Sequence, residues 1–79
     1  MLRDPEVLDI ISSGVLLGRA AEALSPFEAE TVAEIGQRFV TYRREAVVTE
    51  AEWQVLRTAL EAMRRAMAER LAQGEAEAA

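Results

Sequence analysis

Two capping sequences constrain the fold of this chain more than any other feature. Ser25 is followed three residues later by Glu28, and Thr49 is followed three residues later by Glu52. A hydroxyl residue with glutamate three positions on is a capping box, in which each side chain satisfies a backbone amide of the other residue. Each box therefore predicts the start of a helix.

A third helix start is predicted at Asp4. Aspartate is a good N-cap, and Pro5 suits the first helical position because it has no amide hydrogen to leave unpaired. Gly74 is a plausible terminator. We therefore predict a single helical domain over residues 1–74 and a disordered tail over residues 75–79. The predicted helices are helix 1 over about 4–23, helix 2 over about 25–46 and helix 3 over about 49–72.

The segment around the third start allows other interpretations. Val47 and Val48 have the β preference of a strand end, and the acidic residues around Trp53 could belong to a binding site. However, Val48 precedes the cap at Thr49 and Trp53 is the fourth helical residue, which is the spacing of a hydrophobic staple. We therefore interpret the segment as a helix start and expect Trp53 in the core.

Apolar residues in helices 2 and 3 recur at alternating spacings of three and four. Such seams pack helices side by side, and the short join predicts an antiparallel hairpin. The fold class is therefore all-α with three helices, helix 1 packing on the hairpin or on a partner chain. The seams are Val32, Ile35, Phe39, Tyr42 and Ala46 in helix 2, and Trp53, Leu56, Leu60, Met63 and Met67 in helix 3. Favourable ion pairs are expected between Glu34 and Arg38 and between Glu61 and Arg65.

Helix 1 is apolar around most of its circumference and contains two glycines four residues apart. A helix that is apolar on all sides is buried on all sides, and one hairpin cannot easily cover it. We therefore expect contacts with a second chain and a homo-oligomer. The residues predicted for this self-association or partner interface are Ile10, Gly14, Leu17, Gly18 and Ala21.

The composition argues against catalysis. The chain has no histidine, cysteine or lysine, so the common general bases and nucleophiles are missing. Glu30 and Glu34 share a helix face, but they are interpreted as a solvated surface and offer too few oxygen ligands for a hard cation. We expect a protein that is not an enzyme and that uses no cofactor or metal.

The net charge of −5 makes direct binding of nucleic acid doubtful and favours a protein partner. The best basic patch consists of Arg38, Tyr42, Arg43 and Arg44. It could contact phosphate or an acidic partner, but cations that complement the end of a helix dipole are the favoured interpretation. The apolar region 7–24 is interrupted by polar residues, and no signal-peptide pattern is present. We expect no membrane association and a cytoplasmic protein.

Over residues 25–72, helix 2, a short join and a longer alanine-rich helix 3 resemble the central oligomerisation hairpin of phage small terminases. The resemblance implies a DNA-packaging subunit that assembles as a ring and contacts the large packaging subunit. The family usually adds an N-terminal helix-turn-helix for DNA, whereas only helix 1 precedes the hairpin here, which argues against direct DNA contact. The alternatives are a small acidic phage-encoded inhibitor of the anti-CRISPR kind that binds a basic surface of host machinery, and a regulator that docks a helix into a partner's groove.

Overall fold

The computed structural model describes the backbone of residues 1–78 and the side chains of residues 1–74. This part of the chain forms three α-helices and no strand: α1 (Asp4–Ala20), α2 (Pro26–Tyr42) and α3 (Glu50–Ala78). A 3₁₀ turn follows α1 at Ala21–Ala23, and another follows α2 at Arg43–Glu45. Helix α2 packs against α3, and α1 packs against both within the same chain. The all-α fold is confirmed, and the antiparallel direction of α2 and α3 stays a prediction.

The two capping boxes form as predicted. The Ser25 hydroxyl accepts a hydrogen bond from the Glu28 amide (3.2 Å), and the Glu28 carboxylate accepts one from the Ser25 amide (2.9 Å). At the start of α3, the same exchange joins Thr49 and Glu52, with distances of 3.2 and 3.0 Å. Local sequence therefore specifies both helix starts, because each box needs only residues within one turn.

Helix α1 begins one residue earlier than predicted, with Arg3 rather than Asp4 as the N-cap. The Arg3 amide donates to the Glu6 carboxylate at 2.8 Å. This register places Leu2 just before the cap and Val7 at the fourth helical position, which is again the spacing of a hydrophobic staple. Leu2 is only 7% exposed, and Val7 packs against the same cluster of core residues. The N-terminus is therefore anchored in the core.

Helix α2 ends at Tyr42 and not at Ala46, so its predicted extent is wrong at that end. Arg43 has a φ of 54°, a left-handed conformation that is uncommon for residues other than glycine, and the chain turns there. The turn lets the carbonyl of Arg44 accept a hydrogen bond from the Leu2 amide at 2.8 Å. The Arg44 guanidinium in turn donates to the Leu2 carbonyl (3.2 Å) and pairs with Asp4 (2.7 Å). Contacts with the N-terminal segment thus accompany the early end of α2.

The other two helix ends also differ from expectation. Helix α1 ends at Ala20 rather than Ala23. Helix α3 continues through Gly74 to Ala78, so Gly74 does not end it. The side chains of residues 75–79 and the backbone of Ala79 lie outside the described residues, and the disordered tail over 75–79 stays a prediction.

The core lies where the three helices meet, and α3 contributes more buried apolar residues to it than α1 or α2 does. Its fully buried large side chains are Val32, Ile35, Leu56 and Met63. Trp53 is also buried there, as expected, with Val48 packed against the same cluster. Tyr42 is 61% exposed because α2 ends at this residue, so its predicted place in the seam is wrong. Among the described residues, the buried polar side chains all have hydrogen-bond partners.

Candidate interaction surface

The five residues predicted for self-association divide into a buried and an exposed part. Ile10 is only 2% exposed and belongs to the core, so it cannot serve a partner surface. Leu17 is half-buried, whereas Gly14, Gly18 and Ala21 are exposed, Ala21 in the 3₁₀ turn that follows α1. The role of these four residues in self-association stays a prediction.

The side of α1 that points away from the other helices carries large aliphatic residues. Leu8 is 62% exposed, Ile11 49% and Val15 59%. Spacings of three and four place these residues on one face of the helix, next to the exposed Gly14 and Gly18. We call these five residues the outward face of α1. An aliphatic patch of this kind on a small protein is typical of an interaction site.

The two glycines of the outward face leave open space beside the helix. A Cβ atom added to Gly14 or to Gly18 would meet no neighbouring atom within 4 Å. Close packing within the chain therefore does not account for either glycine. The open space would instead let another backbone approach α1.

A shallow groove of about 590 Å³ runs between the outward face of α1 and helix α2. On the α2 side it is lined by Ala33, Gly36 and the exposed Val40, and Arg43 lies at the end of α2. Most of its lining residues are apolar, so the groove extends the apolar surface of α1 onto α2. A partner that covers the outward face could therefore contact two helices.

Opposite charges lie at the two ends of the outward face. Asp4 is the first residue of α1, and its side chain is 80% exposed. Arg19 lies in the last turn and is also exposed. At 1.5 Å per residue, the two positions are about 22 Å apart along the helix axis. The helix dipole favours each charge where it stands, an acid near the N-terminus and a base near the C-terminus.

The predicted basic patch does not form a free cationic surface. Arg38 is bound to Glu52, and Arg44 is bound to Asp4 and to the Leu2 carbonyl. Arg43 lies at the turn after α2, beside an exposed Tyr42. Two of the three arginines therefore hold segments of the fold together, which leaves little charge for a phosphate or an acidic partner.

The Arg38–Glu52 pair joins α2 to α3 through a two-pronged ion pair. The guanidinium donates two hydrogen bonds to the carboxylate, of 2.8 and 2.6 Å, and a third of 3.2 Å to the carbonyl of Val47. Glu52 also accepts the capping bond from the Thr49 amide. These bonds to the charged form, first that from Arg38 and then that from Thr49, lower the pKa of Glu52 to about 2. The same contact with Glu52 raises the pKa of Arg38.

The pair borders a second groove of about 540 Å³, which is also lined by Tyr42, Glu45 and Val47. A carboxylate that is held ionised by an arginine and a helix cap is a poor general acid or base near neutral pH. Sequence reasoning missed this contact, because Arg38 was assigned to Glu34 on its own helix. The perturbed pKa of Glu52 therefore has a structural cause and does not indicate catalysis.

Neither a metal-ligating cluster nor a membrane-spanning helix occurs in the described part of the chain. No group of three or more acidic, histidine or cysteine side chains comes together there in a way that could hold a metal ion. None of the described helices is both long enough and apolar enough to cross a membrane.

Comparison of the chain with protein-family models, with curated proteins and with solved structures finds no match.

Proposed function

We propose that this chain is a non-enzymatic interaction protein that associates with further copies of itself through the outward face of α1. The observation that carries the proposal is the exposure of Leu8, Ile11 and Val15 on one side of a helix whose other side is already in the core. Burial of these side chains by a second chain would remove apolar surface from water, which drives most protein association.

The two glycines inside α1 support the same proposal. Each glycine inside a helix lowers its stability by about 1 kcal/mol relative to alanine. Gly14 and Gly18 cause this loss without any compensating contact inside the chain. The two glycines lower the stability of the folded monomer, and they leave room for a second chain to approach α1 closely. Both properties are consistent with a role in assembly.

A charged residue on the outward face should test the proposal. In the variant Val15→Glu, association would require burial of a carboxylate, so we expect a shift towards monomer in native mass spectrometry and sedimentation. Val47→Glu is a matched control, because Val47 is also an exposed valine (76%) but lies in the join before α3. A monomeric wild-type chain at micromolar to sub-millimolar concentration would contradict the proposal, as would an unchanged mass of the Val15→Glu variant.

A DNA-packaging role is the cellular function that the resemblance to small terminases suggests for such an assembly. It requires a ring, so a mass of many copies supports it and a dimer argues against it. The observation in favour of this role is that α2 and α3 pack together, as the two helices of a hairpin do. Intramolecular ion pairs argue against direct DNA contact within this role, since they involve Arg38, Arg44, Arg65 and Arg70.

The alternative role is an acidic inhibitor that binds a basic surface of host machinery. The same ion pairs favour it, because they occupy arginines while several carboxylates stay exposed. These exposed acids include Glu30, Glu34, Glu45 and Glu50. Charge reversal of Glu30 and Glu34 to arginine should abolish binding to a basic protein target and leave self-association unchanged. Loss of self-association instead would argue that these acids belong to the assembly surface.

A further inference from the structure

We infer that the outward face of α1 is covered by α1 of a second copy of this chain, lying antiparallel and related by a two-fold axis. The inference rests on the proposed function and adds to it the orientation and register of the two helices. Three properties of the same helix face support it.

The first property is the order of charges along α1. Asp4 stands at one end of the outward face and Arg19 at the other. In an antiparallel pair, each Asp4 lies opposite Arg19 of the other copy, so the dimer contains two such contacts. In a parallel pair, Asp4 would lie opposite Asp4 and Arg19 opposite Arg19, which is repulsive at both ends.

The second property is the position of the aliphatic side chains. Asp4 and Arg19 are equidistant from the midpoint between Ile11 and Ser12. Leu8 and Val15 are equidistant from the same midpoint. A two-fold axis at this point therefore satisfies charge and apolar contacts in one register, with Leu8 opposite Val15 of the second copy and Ile11 beside the axis.

The third property is space. Gly14 lies on the outward face without a neighbour within 4 Å of an added Cβ atom, and Gly18 does too. At these two positions, no side chain of α1 keeps a second helix at a distance. Asp4 can contact a second arginine while it keeps Arg44, because its side chain is 80% exposed and a carboxylate accepts several hydrogen bonds.

An isologous contact of this kind uses the same surface on both copies and closes at a dimer. The groove beside α1 would then be bordered by the second copy, with Val40 of α2 at its edge. A ring that used this surface as its repeating contact is not compatible with the inference, because an isologous contact leaves no matching surface for a third copy.

Charge reversal at both ends of α1 tests the register. We expect Arg19→Glu to raise the dimer Kd roughly tenfold, since two attractive exposed contacts become repulsive. Asp4→Arg should also raise it, although this variant loses the contact with Arg44 as well. The double variant Asp4→Arg/Arg19→Glu restores opposite charges across an antiparallel pair, so its Kd should return to within a few-fold of the wild-type value. Sedimentation equilibrium measures all four, and circular dichroism checks that each variant is folded.

The control is Arg64→Glu, which makes the same change of net charge at an exposed position of α3. Its Kd should equal that of the wild type. A Kd that is unchanged in Arg19→Glu would overturn the register, as would a double variant that binds no better than the single ones. A parallel pair predicts both of these results, because like charges would face each other at each end of α1 in all four proteins.

Disulfide formation gives a second measure of orientation, which is simple because the chain contains no cysteine. An equal mixture of Leu8→Cys and Val15→Cys should form a mixed disulfide dimer, and neither variant alone should cross-link efficiently. Cross-linking of Leu8→Cys with itself would instead indicate a parallel pair.

These results separate the inference from the proposed function. If Val15→Glu dissociates the assembly but the charge variants do not behave as expected, self-association through α1 stands and the register is wrong. If Val15→Glu has no effect, both are wrong.

Discussion

The corner between α2 and α3 and the outward face of α1 differ in where their interactions are completed. At the corner, Arg38 binds Glu52, Glu52 caps the helix at Thr49, and Trp53 is buried. On the outward face of α1, large aliphatic side chains remain exposed, and a Cβ atom added to Gly14 or Gly18 would meet no atom within 4 Å. The polar and aromatic side chains named at the corner find their partners within the single chain, whereas the aliphatic side chains of the outward face are left largely exposed. The outward face of α1 is therefore the surface at which we expect a partner to bind.

The largest expected difference is between two adjacent isoleucines of α1. Ile10→Ala should lower the free energy of unfolding by about 2–5 kcal/mol, because it opens a cavity in the core. Ile11→Ala should lower it by less than about 1 kcal/mol, because Ile11 is half exposed. Urea unfolding at a concentration where the chain is monomeric measures both. Equal losses would mean that α1 does not present the faces described.

Next in size is the loss of the Arg38–Glu52 pair. Glutamine at position 52 can still cap Thr49, so Glu52→Gln removes mainly the charge. We expect a loss of about 1–2 kcal/mol at neutral pH, because both side chains are partly exposed and solvent screens them. Chemical unfolding of Glu50→Gln, an exposed acid in the first turn of the same helix, provides the control and should show little change.

The Glu52→Gln substitution should also change how the stability of the chain depends on pH in the acid range. The pKa of Glu52 is lower in the folded chain than its ordinary value of 4.5. Its contribution to stability is therefore fully present above that value and is lost as pH falls towards about 2. Between these limits the wild type should lose more stability than Glu52→Gln. Parallel curves for the two proteins would show that Glu52 is not the titrating group.

Substitution of the glycines of the outward face by alanine should have a smaller effect on the free energy of unfolding, and of the opposite sign. Gly14→Ala and Gly18→Ala should each stabilise the monomer by about 0.5–1 kcal/mol, since alanine is the better helix former and its Cβ meets no atom. Thermal unfolding at low concentration measures this gain. In contrast, Gly18→Leu should weaken assembly, because a bulky side chain would keep the second helix away. Unchanged assembly would mean that the glycine does not lie at the contact.

The smallest effect is expected at an ion pair that lies on the surface of one helix. Arg65 and Glu61 are 3.5 Å apart, and both are exposed. Glu61→Gln should therefore change the free energy of unfolding by less than about 0.5 kcal/mol. A loss as large as that of Glu52→Gln would contradict the distinction between the corner and the helix surface.

Predictions from the sequence succeeded where the interaction spans a single turn or a regular repeat. The boxes at Ser25 and Thr49 form as expected, and the α3 seam is buried except for its last residue, Met67, which is half-buried. The expected pair of Glu61 and Arg65 is present too. In each case the partners lie within a few residues of each other, so their geometry follows from the helix itself.

The errors arose where a partner comes from a distant part of the chain. Arg38 was expected to pair with Glu34, but it binds Glu52 on another helix. Leu2 was overlooked, although the staple spacing to Val7 would have indicated it if the cap had been placed at Arg3. The interface prediction included Ile10, which is buried in the core of the single chain because other helices pack against it, whereas the role of the other four residues stays a prediction.

The sequence by itself determined the all-α class, two of the three caps and the excess of apolar surface on helix 1. Only the tertiary structure decided which part of that surface remains in water, and so separated Ile10 from Ile11. It also decided that α2 ends at Tyr42, where the chain turns to receive the N-terminal segment. The reason is physical: caps and helical repeats are local, whereas burial depends on what the rest of the chain places against each face of a helix.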